Sequence, residues 1–179
     1  VYDMQLMFYD CFVLNGPANI GNWNTSSVWY MGYLFYGAAT FNQNIESWNT
    51  SATTTMTRMF CGASAFNQPL GNWNTANVTN MSYMFSGTRE FNQPLNNWDV
   101  SNVRNMNFIF NGPTSFGQTP EVRQSLDAWN PTYLINSRQF QQIFDYNYSI
   151  YHHFYRANPL QFHVSLPNIL APVNQNFCH

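Results

Sequence analysis

Trp23, Trp48, Trp73 and Trp98 stand 25 residues apart, and Phe41, Phe66, Phe91 and Phe116 keep the same step. So do Met31, Met56, Met81 and Met106, and likewise Phe35, Phe60, Phe85 and Phe110. Gly37, Gly62, Gly87 and Gly112 follow it, with Val28, Thr53, Val78 and Val103 as a further apolar or β-branched rung. Self-similarity at a fixed period marks a repeat architecture, in which one unit cannot bury its apolar side alone and its neighbours must stack on it. A 25-residue period is too short for two-helix repeats of about 33 to 47 residues and falls among leucine-rich-type coils of about 20 to 29.

Within the unit, Met81, Met84 and Phe85 sit at i, i+3 and i+4, one face of a helical or 3₁₀ turn. Phe66-Asn67-Gln68-Pro69-Leu70 alternates as an extended strand does, with Pro69 where no ladder amide is needed. Gly87 suits a positive φ where the turn ends. The sequence therefore predicts a leucine-rich-repeat-like solenoid. Each 25-residue coil would hold one short β-strand and one short helical or 3₁₀ turn, with coils stacked in parallel about 4.8 Å apart. The Trp, Met and two Phe ladders form its expected core. Asn42, Asn67 and Asn92 recur after the Phe, and Asn24, Asn49, Asn74 and Asp99 after the Trp. Short amides at turns bond their own backbone and the equivalent amide one coil away, which makes much of the asparagine structural.

The copies are unequal. MQLMFYD, from Met4, reaches Trp23 with two extra residues, which places an insertion near Cys11 to Asn15. After Phe116 the step breaks, and Trp129 arrives 31 residues after Trp98. Phe140, Ile143, Phe144 and Ile150 keep the spacing of Met81, Met84, Phe85 and Phe91 as a faded copy. The expected organisation is a solenoid of four to five repeats over residues 1–118, then a degenerate repeat and irregular segment over 119–179 that packs on it or extends it.

Asn80-Met81, Met84-Phe85, Gly87, Phe91-Asn92-Gln93-Pro94-Leu95 and Trp98-Asp99-Val100-Ser101 together resemble the BspA-like surface repeat family. That family includes leucine-rich-type surface proteins and mycoplasma surface lipoproteins. The resemblance covers about Met4 to Gln118 and departs from the pattern at Gly117, where Asn is expected. It implies a surface location and a role in adhesion or recognition, with no catalytic residues to carry over.

Charge narrows the function further. Asp, Glu, Lys and Arg make up 8% of the chain, against about 25% in ordinary domains. The six basic residues are all arginines (Arg58, Arg89, Arg104, Arg123, Arg138, Arg156) and face eight acids, for a net charge of -2. No basic patch for nucleic acid can be assembled from them. Stacked coils explain the scarcity, since like charges about 4.8 Å apart repel whereas Asn, Thr, Met and Phe stack well. Low charge also removes a solubility safeguard, which favours a glycan-coated or assembled protein. Aromatics at 18% argue against disorder. No apolar run reaches the roughly 18 to 20 residues of a membrane span. The missing initial Met reads as a processed chain or a fragment.

Candidate chemistry is sparse. His152, His153, His163 and His179 are confined to the tail, with Cys178 beside the last. Adjacent histidines on a strand point to opposite sides and do not chelate alone. No nucleophile motif, HExxH, phosphate-cradling loop or carboxylate pair occurs, so neither enzyme activity, metal nor cofactor is expected. Cys11 and Cys61 lie two coils apart, about 10 Å, beyond the roughly 7 Å reach of a disulfide; a Cys11–Cys178 pair stays open. Sequons stand at Asn24, Asn49, Asn77, Asn80 and Asn147, close to the number of about four that this Asn, Ser and Thr content gives by chance. Trp29, Tyr30, Tyr33 and Tyr36, in the least typical copy, are the candidate contact surface. The expected function is that of a non-enzymatic extracellular surface repeat protein, acting in adhesion or in head-to-tail self-assembly into a filament. Its partners would be further copies or an extracellular protein or glycan. The alternative is a carbohydrate-binding module using exposed Trp and Tyr platforms.

Overall fold

The structure, a computed structural model, describes residues 1–112 together with Ser115, Phe116 and Trp129. The four histidines, Cys178, Asn147, the faded copy at Phe140 to Ile150 and nearly all of the 119–179 segment lie outside the described residues.

One eight-residue stretch explains how the repeats join. The amides of Met31, Tyr33, Phe35 and Gly37 donate to the carbonyls of Thr55, Thr57, Met59 and Cys61 in the next repeat, at 3.1, 2.8, 2.9 and 2.8 Å. The intervening amides of Leu34 and Tyr36, and that of Ala38, turn back to Met31, Tyr33 and Phe35. The pattern recurs from Met56, Arg58, Phe60 and Gly62 to Asn80, Ser82, Met84 and Ser86, and from Met81, Tyr83, Phe85 and Gly87 to Asn105, Asn107, Ile109 and Asn111. Every second amide thus serves the neighbouring repeat and the others close local turns.

This corrects the expected solenoid of coils built from a strand and a helical turn. Among the described residues the one helical element is the 3₁₀ turn Ile20–Asn22, and no strands pair into a sheet. Successive repeats meet instead at single parallel bridges, Asp3 to Tyr30, Tyr30 to Thr55, Thr55 to Asn80 and Asn80 to Asn105. Met81, Met84 and Phe85 are all fully buried, as their spacing suggested. A helix, however, needs each amide bonded within its own segment, and here alternate amides have left for the next repeat. Reversing the chain between them takes a left-handed residue, and Tyr33, Arg58, Tyr83 and Phe108 sit at φ +58°, +52°, +56° and +57°. Such a conformation is disfavoured for residues with a Cβ and persists only where the surroundings over-determine it; the flanking inter-repeat bonds do so here.

The anticipated strand from Phe66 to Leu70 also lacks a ladder. Its pairing is taken over by side chains, because the Asn67 amide donates to Asn42 Oδ1 and the Asn92 amide to Asn67 Oδ1, both at 3.0 Å. Gln68 and Gln93 Nε2 reach the same two oxygens. The asparagines after the Phe therefore replace a backbone ladder with an amide one.

Ring ladders fill the interior. Phe35, Phe60, Phe85 and Phe110 follow one another at centroid distances of 5.6, 5.7 and 5.9 Å, nearly parallel. Phe41, Phe66, Phe91 and Phe116 stack beside them at 5.7, 5.9 and 5.9 Å. These rings and Met31, Met56, Met81 and Met106 are at most 1% exposed. Trp48, Trp73 and Trp98 are also buried, and each indole donates inward, to Ile20, Ile45 and Leu70 O at 2.8, 3.1 and 3.0 Å. Trp23, expected among them, is only partly buried. Trp129 rejoins the ladder despite its longer spacing: it is buried, lies 6.4 Å from Trp98 and donates to Leu95 O at 3.1 Å.

Candidate functional site

Four features of the surface carry chemistry, and the turn asparagines come first. Asn24 Oδ1 accepts from the Ser26 amide and hydroxyl at 3.1 and 2.7 Å, and Asn49 Oδ1 from those of Ser51 at 3.0 and 2.7 Å. Asn80 does the same with Ser82. Each oxygen thus closes an Asx turn, while the amide nitrogens of exposed Asn24 and Asn49 make no hydrogen bond among the described residues, and that is where a glycan would attach. Asn77 Nδ2 is committed to Ser51 O at 2.8 Å. Asp99 occupies the same turn position as Asn24 and Asn49 and accepts from the Ser101 amide at 2.9 Å. Hydrogen bonds from the Ser101 side chain and then its amide hold the Asp99 carboxyl below its usual value.

A second feature escaped the sequence reading. The left-handed positions Leu6, Tyr33, Arg58, Tyr83 and Phe108 share one place in successive repeats and form an external stripe. The Arg58 guanidinium lies 4.6 Å from the Tyr83 ring centroid and 5.6 Å from that of Tyr33, and its Nη1 donates to the Tyr33 hydroxyl at 3.3 Å. Tyr83 and Phe108 meet at 4.9 Å. The 25-residue spacing of Tyr33, Arg58, Tyr83 and Phe108 is legible in the sequence, but the changing residue type hides it from a search for identical rungs.

The predicted contact surface divides. Trp29 and Tyr30 are 49% and 40% exposed, and Trp29 tilts against Tyr2 at 5.8 Å. Tyr33 is half-buried in the stripe. Tyr36 is not exposed: it is 7% accessible because Tyr9 covers it face to face at 4.7 Å. Burial first, then the neighbouring Tyr9, raises the Tyr36 phenol above its usual value.

The remaining features are a groove and the first repeat's outer face. A polar groove of about 420 Å³ runs past Asn22, Gln43, Asn44, Glu46, Ser47 and Asn72. Its groups largely satisfy one another, with Asn72 Nδ2 donating to Glu46 Oε1 at 3.0 Å and Ser47 Oγ to Gly21 O at 2.6 Å. Among the described residues, every exposed large apolar side chain belongs to residues 1–30, including Leu6, Met7, Phe12, Val13 and Leu14. No three His, Cys, Asp or Glu side chains converge among the described residues. Cys11 is a free thiol, so it pairs with no other cysteine.

The repeats decide the family. Residues 2–129, from the first stacked repeat to the indole that ends the described ladder, match the family described as Mycoplasma protein of unknown function, DUF285. The chain belongs to the DUF285 family. No curated protein and no solved structure matches it. The match to DUF285 brings no residue role with it. No helix among the described residues is long and apolar enough to cross a membrane.

Proposed function

We propose that this DUF285 chain is a non-enzymatic extracellular surface repeat protein that works by joining end to end with further copies of itself. The observation that carries this reading is the interface repeated inside the molecule, in which alternate amides of one repeat donate to carbonyls of the next, as from Met31, Tyr33, Phe35 and Gly37 to Thr55, Thr57, Met59 and Cys61. Stacking of this kind is a mode of contact that further copies can continue. A second support is the low charge of 8%, which leaves little electrostatic repulsion to keep copies apart. The BspA-like resemblance supports the surface location, and the amide nitrogens of Asn24 and Asn49, without a hydrogen bond among the described residues, suit a glycosylated, secreted chain. Electron microscopy of the purified protein at high concentration tests the reading: elongated particles are expected, and a uniformly monomeric population would sink it.

The Tyr33–Arg58–Tyr83–Phe108 stripe favours a second reading, in which the same protein binds carbohydrate on aromatic platforms, this stripe and the exposed Trp29. Sugar faces stack on such rings, and Arg58 has no ion pair among the described residues to compete for a ligand acid. A glycan array should then show binding that Tyr83→Ala and Trp29→Ala weaken, and an array without hits removes this reading alone.

A further inference from the structure

The charge in the external stripe is held in place and left unspent. The amides of Tyr33, Arg58 and Tyr83 donate to Thr57, Ser82 and Asn107 O in the next repeat, at 2.8, 2.9 and 2.9 Å, so each stripe residue stands on backbone pinned to its neighbour. The half-buried Arg58 side chain is fixed as well. Its guanidinium lies 4.6 Å from the Tyr83 centroid and 5.6 Å from that of Tyr33, rings that belong to the repeats after and before its own. With rings toward both neighbouring repeats, its open side is the outer one. A guanidinium carries five N–H donors. Nη1 donates to the Tyr33 hydroxyl at 3.3 Å, and no acidic side chain pairs with Arg58 among the described residues.

We infer that the stripe binds an acidic polysaccharide through its uronic acid carboxylates, and that Arg58 is the residue that selects them. The inference rests on the carbohydrate reading above and names the kind of sugar. A guanidinium fork matches a carboxylate with two parallel N–H···O bonds, and one already held by its rings gives up little freedom on binding. With charged residues at 8% of the chain, few acids of its own compete for it. The form of the stripe favours a polysaccharide over an acidic peptide. It advances one strand spacing per repeat, about 4.8 Å, close to the length of one pyranose unit in an extended chain. An extended peptide repeats its side chains on one face only every 6.6 Å or so, about two residues of rise. Phe108, 4.9 Å from Tyr83, continues the ring surface beside the charge, where the C–H face of an adjoining sugar rests.

Titration of the protein over an array separates the outcomes. The array carries oligomers of galacturonate, glucuronate and mannuronate, each beside its methyl ester, together with neutral glycans and polyglutamate. At least one acid should bind about tenfold or more tightly than its ester, as hydrogen bonds to a charged group warrant. Esters or neutral glycans bound as well as the acids would overturn the inference and leave the carbohydrate reading standing, whereas an array without hits would overturn both. Polyglutamate bound as tightly as the acidic sugars would make the stripe a surface for acidic protein and overturn the inference too. Arg58→Gln, which removes the charge, should bind acids and esters alike. Arg58→Lys, which keeps a charge without the fork, should lose part of the preference with an unchanged melting curve. The full preference persisting in either variant would place the selection elsewhere and overturn the inference.

Discussion

Phe60 and Phe8 hold the same place in their repeats and live in different surroundings. Phe60 is fully buried, with Phe35 at 5.6 Å on one side, Phe85 at 5.7 Å on the other and Phe66 at 4.1 Å in its own repeat. Phe8 is half-buried and stacks on Phe35 at 5.4 Å and Trp23 at 6.0 Å, with no repeat covering its outer side among the described residues. The difference teaches that in a stack the same residue contributes according to how many neighbours cover it, since stability there is a sum of repeat and interface terms. Phe60→Ala should cost about 3 to 5 kcal/mol in chemical denaturation, the range of a buried phenylalanine deletion. Phe8→Ala should cost less than about 2 kcal/mol, because part of the ring is already in water. Equal losses would break the comparison.

The indoles sharpen it through hydrogen bonding. Trp73 Nε1 reaches back one repeat to Ile45 O at 3.1 Å. Trp23 has no such bond among the described residues: the acceptors of Trp48, Trp73 and Trp98 each lie 28 residues back, a step that from Trp23 falls before Val1. Trp73→Phe removes one buried hydrogen bond and leaves a gap where the larger ring packed, for a loss of about 1 to 3 kcal/mol. Trp23→Phe should fall within about 0.5 kcal/mol of the parent, as partly exposed positions do. Urea unfolding of the two variants checks both figures, and a Trp23 loss as large as that of Trp73 would mean the first repeat is covered in solution.

What was legible in the sequence follows from what a period can encode. The Phe, Met and Trp rungs announced their stacking because identical side chains in register touch, and the Asn67 and Asn92 amide ladder followed from the same register. The backbone between the rungs was not legible. Met81, Met84 and Phe85 are spaced for a helix, yet the same three residues face inward when alternate amides leave for the next repeat. The turn that permits this falls at Tyr33, Arg58 and Tyr83, residue types that give no sign of a left-handed conformation. Gly37, which does give that sign, lies beside the Asp10 carboxylate that a Cβ there would strike. The candidate contact surface failed at Tyr36 for a related reason: Tyr9, which covers it, belongs to the repeat whose two-residue shift obscured its register.

Asp10 is where the first repeat departs most from the inner ones, and converting it tests the comparison from the other side. It holds φ +53° at the position that Gly37, Gly62, Gly87 and Gly112 fill elsewhere, and its Oδ1 is buried without a hydrogen-bond partner. A left-handed conformation costs a residue with a Cβ about 1 kcal/mol, and a buried unsatisfied polar atom about 1 to 3 kcal/mol. Asp10→Gly relieves both and gives back about 0.5 to 1 kcal/mol through the greater freedom of glycine in the unfolded chain. The net expectation is a gain of at least about 1 kcal/mol, read as a melting temperature at least about 2 °C higher. Asp10→Ala separates the two contributions, because it keeps the Cβ and removes the side-chain oxygens. If Ala gains as much as Gly, the burden lies in the buried oxygen; if only Gly gains, it lies in the backbone. A loss with both would show that the carboxylate is held there by an interaction that the inner repeats lack, and that the first repeat is a different structural unit from the ones that follow it.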